Sequence, residues 1–238
     1  MKELFEATKR TVSANTYPGY PTRRLTLEDL SDPSSLTLPD GEWSTGVFTY
    51  PTDEEQTRLK ELGYKLDDFG RPLHPWLREM LTDPDIGAVT GLGDYWHWGP
   101  NRTADPIVIN TDEVPRILLI KRSDTGTWAL PGGFVDDDES SAEAARRELC
   151  EETSLVVHGE PCAIYNGVVS DGRTTAHAWA ETTALLWRVE GTPDIAAGDD
   201  AQDAKWFFIN ELPDAMHGSH AIIIEQAIAK MNESEDPS

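Results

Sequence analysis

Residues 133–155 read GFVDDDESSAEAARRELCEETSL, and the spacing of charge within them decides how the rest of the chain is read. Gly133 is followed by Glu139, then by Arg147 and Glu148, then by the pair Glu151 and Glu152. Ser140 with Glu143 three residues later is a capping-box signature, so a helix is expected from there through a run of strong helix formers. At about 100° per residue, Glu148, Glu151 and Glu152 share an arc of roughly 100°. Ala142, Ala145 and Leu149 form a neighbouring apolar stripe suited to packing on a sheet. Three carboxylates on one face repel each other unless a cation sits among them. Mg²⁺ suits such oxygen ligands and is commonly shared with phosphates, with Mn²⁺ as its alternative. Arg147, four residues before Glu151, is placed to orient a carboxylate.

A solvated acidic helix face would explain the glutamates alone. It does not explain the preceding WALPGG at 128–133, which reads as a strand end running into a tight glycine turn. The metal-site reading covers the loop, the helix and the internal arginine together.

The chain has 238 residues, enough for one large or two modest domains with a buried core. Its 43 acidic residues against 20 basic ones give a net charge of −23. That balance argues against nucleic-acid binding through a broad basic surface and against docking on anionic membranes. Most of the excess serves solubility. An acidic protein acting on an anionic substrate also needs cations at its site. Two cysteines, Cys150 and Cys162, are too few for a disulfide scaffold, and Cys150 is expected to be a buried or inert thiol within the helix. The N-terminal MKELFEATKR lacks the apolar core of a secretory signal, and no apolar stretch is long enough to span a bilayer. A cytoplasmic protein is expected.

The first hundred residues are rich in proline, glycine and tryptophan. Within them 47–50 reads as a strand, and 54–62 and 76–81 read as helices, with GRP at 70–72 between them. Strands are expected at 106–110, 116–122, 163–169, 177–189 and 204–209, and a final amphipathic helix at 219–231. The division expected is 1–104 as an N-terminal domain contributing to a substrate cleft, 105–232 as a catalytic domain, and 233–238 as a disordered tail. Strands flanking one central helix, with a second helix at the end, imply an α/β fold.

The spacing in 133–155 resembles the Nudix box, G-x5-E-x7-R-E-U-x-E-E-x-G-U with U bulky and apolar. Gly133, Glu139, Arg147, Glu148, Leu149, Glu151, Glu152 and Leu155 match it, and Ser154 stands in place of the last glycine. Glycine there serves to adopt positive φ, so a serine costs about 1 kcal/mol or shifts the helix end. Further segments resemble the mitochondrial-type ADP-ribose pyrophosphatases and the related domain of the ADP-ribose-gated melastatin-type cation channel. These are YPG at 17–19, GRP at 70–72, WGPN at 98–101, ADPI at 104–107, WALPGG at 128–133, the stretches 169–179 and 197–206, and His220.

The resemblance implies a Nudix-type α/β/α sandwich around a mixed sheet, with a smaller irregular α+β N-terminal domain. It also implies Mg²⁺-dependent hydrolysis of ADP-ribose to AMP and ribose 5-phosphate, by a monomer or homodimer. Carried over by position, Glu148, Glu151 and Glu152 would hold metal with Glu139 in support, and Arg147 would serve them. Asp171, Arg173 and His220 match substrate contacts of that family, and Trp98 and Asn101 are further candidates. The bland alternatives are an ordinary salt bridge for Arg173, a helix-start histidine for His220 and core packing for the tryptophans. Ala176 and His177 depart from the family's aspartate and asparagine. Asp199 or Asp200 is the alternative to the helix glutamates for activating water. The functional alternatives are a Nudix hydrolase for a nucleotide sugar or an oxidised nucleotide, and a non-catalytic ADP-ribose sensor.

Overall fold

The unbroken apolar runs at 107–109 and 117–120 become the paired central strands of a seven-stranded sheet. β1 is Gly99–Asn110 and β2 is Arg116–Arg122, antiparallel with Ile109 opposite Ile117. In this computed structural model the described residues are 17–32, 34, 38–39, 41–46, 49–198 and 201–235. The expected strand at 47–50 falls partly outside them, as do Asp199, Asp200 and the end of the expected tail.

β1 starts seven residues before the strand expected from 106, and in that added part Thr103 and Ala104 pair with a strand too short to carry a periodic signal. That strand is β4, Gly133–Phe134, with Thr103 opposite Phe134 and Ala104 opposite Gly133. β3, Trp128–Ala129, is equally short and lies against Ile120 and Lys121. β5 is Cys162–Val168, β6 is Ala178–Val189 and β7 is Ala201–Phe208. The strand order is β3-β2-β1-β6-β5, with β4 added on β1 and β7 on β2. β7 pairs with β2 along its length, and a register irregularity falls between Lys121 and Arg122.

Among the described residues four α-helices accompany the sheet: α1 Asp53–Glu61, α2 Leu77–Thr82, α3 Ser141–Thr153 and α4 His220–Glu235. α4 continues through residues 233–235, which the sequence placed in a disordered tail. α1 begins on Thr52 in a capping box with Glu55, and α3 on Ser140 with Glu143. Each box satisfies orphan N–H groups of the first turn, so both starts were visible in sequence. α3 buries Ala144, Ala145 and Leu149 fully, in one apolar cluster with Ala104, Val108, Leu118, Leu185 and Trp187 of the sheet. Burying Leu149 alone contributes about 2 kcal/mol. Cys150 is exposed rather than buried, because it sits one step round the helix from Leu149. Among the described residues no helix is long and apolar enough to cross a membrane.

The chain divides into two compact units, Met1–Asn101 with Val168–Glu181, and Arg102–Gly167 with Thr182–Ser238. The first unit therefore includes a segment that a simple linear division leaves with the catalytic part. Its core joins Leu25, Leu38, Leu77, Met80, Leu81, Ile86 and Ala176. GRP at 70–72 is explained here. Arg71 is buried, pairs with Asp67 at 2.8 Å, donates to the Leu38 carbonyl at 2.5 Å and lies under the Phe69 ring. A Cβ on Gly70, whose φ is +78°, would run into the Gln56 amide.

His74 is buried in the first unit against Trp76 and Trp179, and its Nδ1 accepts the Trp76 N–H at 2.9 Å. Burial pushes its pKa down to about 3. The folded state keeps the ring neutral while the unfolded chain takes up a proton near pH 6.5, so stability is lost as pH falls from there toward 3. We expect wild type to lose up to about 1.4 kcal/mol per pH unit relative to His74→Asn between pH 6 and pH 4. Urea unfolding across that range measures it, and parallel curves for the two proteins would count against a buried neutral ring.

Candidate active site

A loop of two glycines brings β4 against the acidic face of α3. Gly132 has φ +149°, and a Cβ there would meet the Ala104 carbonyl oxygen at 2.5 Å and Asp105 Oδ1 at 2.6 Å. A Cβ on Gly133 would strike the Glu148 carboxylate. At Gly132 a side chain would run into the backbone of β1, so glycine lets the turn lie this close to it.

Arg147 organises the surrounding acids. Its Nε and Nη2 donate to the two oxygens of Glu139 at 3.0 and 2.8 Å, and Nη2 also donates to the Phe134 carbonyl at 3.0 Å. Nη1 donates to Glu148 at 2.7 Å and to Glu151 at 3.2 Å. One guanidinium thus bridges three carboxylates and the end of β4. These partners hold Arg147 charged well above its ordinary pKa, and the same contact lowers that of Glu139.

Glu152 turns the other way. It is 8% exposed, and Oε2 accepts the Gly132 N–H at 2.9 Å. Burial pushes its pKa up to about 7, the Gly132 hydrogen bond opposes this, and the charges of Glu148 and Asp105 add to it. Glu148 is raised as well, by burial and against the pull of Arg147. Asp105 lies beneath the same turn, 7% exposed, with Oδ2 accepting the Thr182 hydroxyl at 2.7 Å and its pKa pushed up to about 6 by burial. Carboxylates raised in this way are held at a cost that a cation would remove.

Among the described residues no three acidic, histidine or cysteine side chains converge on one point where an ion would be held. Glu148 and Glu151 instead face the guanidinium. The donor set nevertheless fits a hard divalent cation. It offers only oxygen, it already gathers around one positive charge, and Glu152 is buried without an ion partner among the contacts just described.

Residues 100–227 match the NUDIX domain. The chain belongs to the NUDIX family. It is 32% identical over 205 residues to the mitochondrial ADP-ribose pyrophosphatase of Rattus norvegicus, across 70% of this chain and 56% of that protein. It is 28% identical over 202 residues to a transient receptor potential cation channel subfamily M member-like 2 of Nematostella vectensis, across 69% of this chain and 12% of the channel. The matched region is thus less than two thirds of either relative's length. A MutT/nudix family protein from Enterococcus faecalis shares the fold, with TM-score 0.50, 22% identity, and 78% and 76% of the two chains covered.

Arg147, Glu148 and Glu151 of the NUDIX helix α3 thus form one contact network with Glu139 from the loop before it, and Glu152 of the same helix reaches the Gly132 amide. The other candidates are held by local structure. Asp171 takes the Nε–Nη2 edge of Arg173 bidentately at 2.9 and 2.6 Å, and the guanidinium lies 5.0 Å from the Tyr95 ring centre. His220, the first residue of α4, accepts the Leu130 N–H on Nδ1 at 2.8 Å, and burial lowers its pKa to about 4. Trp98 is buried in the first unit. Asn101 uses its amide to close the 97–101 loop, accepting from His97 N–H and donating to the His97 and Gly99 carbonyls. Ala176 is fully buried in the core of the first unit, and the His177 ring meets the Pro72 carbonyl at 2.8 Å. Both are packing positions of the first unit. Sequence reasoning missed Asp105, whose only signal was its place in the ADPI segment.

Ser154 ends the NUDIX helix with φ +58°, the one non-glycine residue with positive φ among those described. The serine thus adopts the conformation the missing glycine would have taken. The carbonyls before it are taken up by Ala196 N–H, on Thr153, and Gly198 N–H, on Glu152. Ser154→Gly should raise stability by about 0.5–1 kcal/mol, read from the urea midpoint. A lower midpoint would mean that the serine side chain stabilises this helix end.

Proposed function

We propose that this chain hydrolyses the diphosphate of ADP-ribose to AMP and ribose 5-phosphate in the presence of a divalent cation. The observation that carries the reading is the set of three carboxylates, Glu148 and Glu151 of α3 and Glu139 before it, gathered about one guanidinium, with the buried Glu152 beside the glycine turn. The likeness to proteins named as ADP-ribose pyrophosphatases supports the choice of substrate.

In this reading Glu148, Glu151 and Glu152 hold Mg²⁺, or Mn²⁺ in its place, with Glu139 in support. When bound, the ion neutralises charge on the diphosphate oxygens and polarises a water. Arg147 lowers the pKa of Glu139 and fixes the directions of Glu139, Glu148 and Glu151. The Gly132 amide fixes Glu152. The water's oxygen bonds to one phosphorus as the bridging P–O bond breaks, and its proton passes to a carboxylate. Asp199 and Asp200 remain alternatives for that proton. They lie outside the described residues, between Gly198, which is bonded to the Glu152 carbonyl, and the start of β7. Asp171, Arg173 and His220 are proposed substrate contacts. Trp98 and Asn101 act by shaping the first unit.

Purified protein with ADP-ribose and Mg²⁺ should release AMP, and EDTA should abolish the release until Mg²⁺ or Mn²⁺ is restored. Glu151→Gln and Glu152→Gln should each lower kcat by on the order of a hundredfold or more, about 2.7 kcal/mol, with unchanged far-UV circular dichroism. Near-wild-type turnover in both would refute the site. Higher kcat/KM for a nucleotide sugar or an oxidised nucleotide would redirect the substrate, and binding without any AMP release would make the chain a sensor.

A further inference from the structure

Gly132 stands between two buried carboxylates. Its N–H donates to Glu152 Oε2 at 2.9 Å, and the side where a Cβ would lie is filled by the Ala104 carbonyl oxygen and by Asp105 Oδ1. The register of β1 against β4, with Ala104 opposite Gly133, brings Asp105 to this place. From the neighbouring strand β6, Thr182 donates its hydroxyl to Asp105 Oδ2 at 2.7 Å and fixes the side chain. Asp105, Glu152 and Thr182 are each more than nine-tenths buried. Among the described residues Asp105 forms no ion pair, and no hydrogen-bond donor reaches its Oδ1.

Packing does not account for the charge. Asparagine has the outline of aspartate, and its amide oxygen accepts the Thr182 hydroxyl as well. A carboxylate in the same place loses hydration without a counter-charge in contact, and it repels Glu152 across the turn. Arg122 offsets both charges only from a distance, with its guanidinium bound bidentately to Asp124. The fold is therefore less stable with this charge than without it, and a cation at the turn reverses that balance. Groups that touch the ligands of a metal, rather than the metal, typically change its affinity by about 10–100-fold. Asp105 has what such a group needs. Thr182 fixes its position, and it sits directly against the residue whose amide holds Glu152.

We propose that Asp105 is a positioning residue for the divalent cation, seating the Gly132 turn against Glu152 and adding its own charge behind them without touching the ion. This rests on the cation site proposed above and extends it to a residue of β1.

Mn²⁺ binding to the full chain, followed by loss of the free-ion electron paramagnetic resonance signal, tests the assignment beside urea unfolding in EDTA. Asp105→Asn should bind Mn²⁺ about tenfold more weakly than wild type and, in EDTA, should unfold at a higher urea midpoint. Asp105→Glu, which keeps the charge, should bind Mn²⁺ more tightly than Asp105→Asn. A role in packing alone gives Asp105→Asn an unchanged Mn²⁺ affinity, or a midpoint equal to or below that of wild type. Either result overturns the proposal, as does an Asp105→Asn protein that fails to fold. Equal weakening by Asp105→Glu and Asp105→Asn overturns it too. Neither measurement involves substrate. Wild type that binds Mn²⁺ with this dependence on Asp105 yet releases no AMP from ADP-ribose supports the proposal and removes the hydrolase reading alone.

Discussion

The contact on which the acidic face depends is the guanidinium of Arg147 among Glu139, Glu148 and Glu151. Without a positive charge there, three carboxylates on neighbouring turns and the end of β4 would repel one another in a region that is partly shielded from water. With it, two oxygens of Glu139, one of Glu148 and one of Glu151 are drawn together, and the Phe134 carbonyl is tied to the same group. The arginine therefore fixes the position of the glycine turn as well as the acids. Glu152 completes the arrangement from the other side, through the Gly132 amide. Positioning and electrostatics come from one side chain.

Much of this was legible in the chain. Ser140 and Glu143 announced the start of α3, and the apolar positions of the helix announced the face that meets the sheet. Residues 107–109 and 117–120 declared two strands by composition alone. The two-residue strands β3 and β4 were not legible, because a pair of residues has no period and their placement depends on partners in β1 and β2. The early start of β1 was hidden for the same reason. The spacing of acids and arginine was a local signal and survives folding. The engagement of Arg173 by Asp171 and of His220 by Leu130 is set by contacts that the spacing of motifs does not encode. For both residues the plain structural role is the one observed, and a ligand contact must coexist with it.

Two of the family signatures outside the box meet their partners within the first unit. GRP at 70–72 is a packing device, with Arg71 buried on Asp67 and glycine favoured by a φ of +78° at Gly70. Ala176 and His177 are buried core positions of the first unit. YPG at 17–19 closes a turn whose hydroxyls bond Asp94 and the Arg173 carbonyl, so its polar groups also meet within the first unit.

The central claim is that the glutamates of α3 exchange the sharing of a guanidinium for the sharing of a metal ion. A crystal structure of the protein soaked in Mn²⁺, with anomalous differences recorded at the manganese edge, addresses it most directly. The account predicts a peak within about 2.5 Å of carboxylate oxygens of Glu148, Glu151 and Glu152. A peak held by other residues, with Glu148 and Glu151 still on Arg147 and Glu152 still on the Gly132 amide, would contradict it.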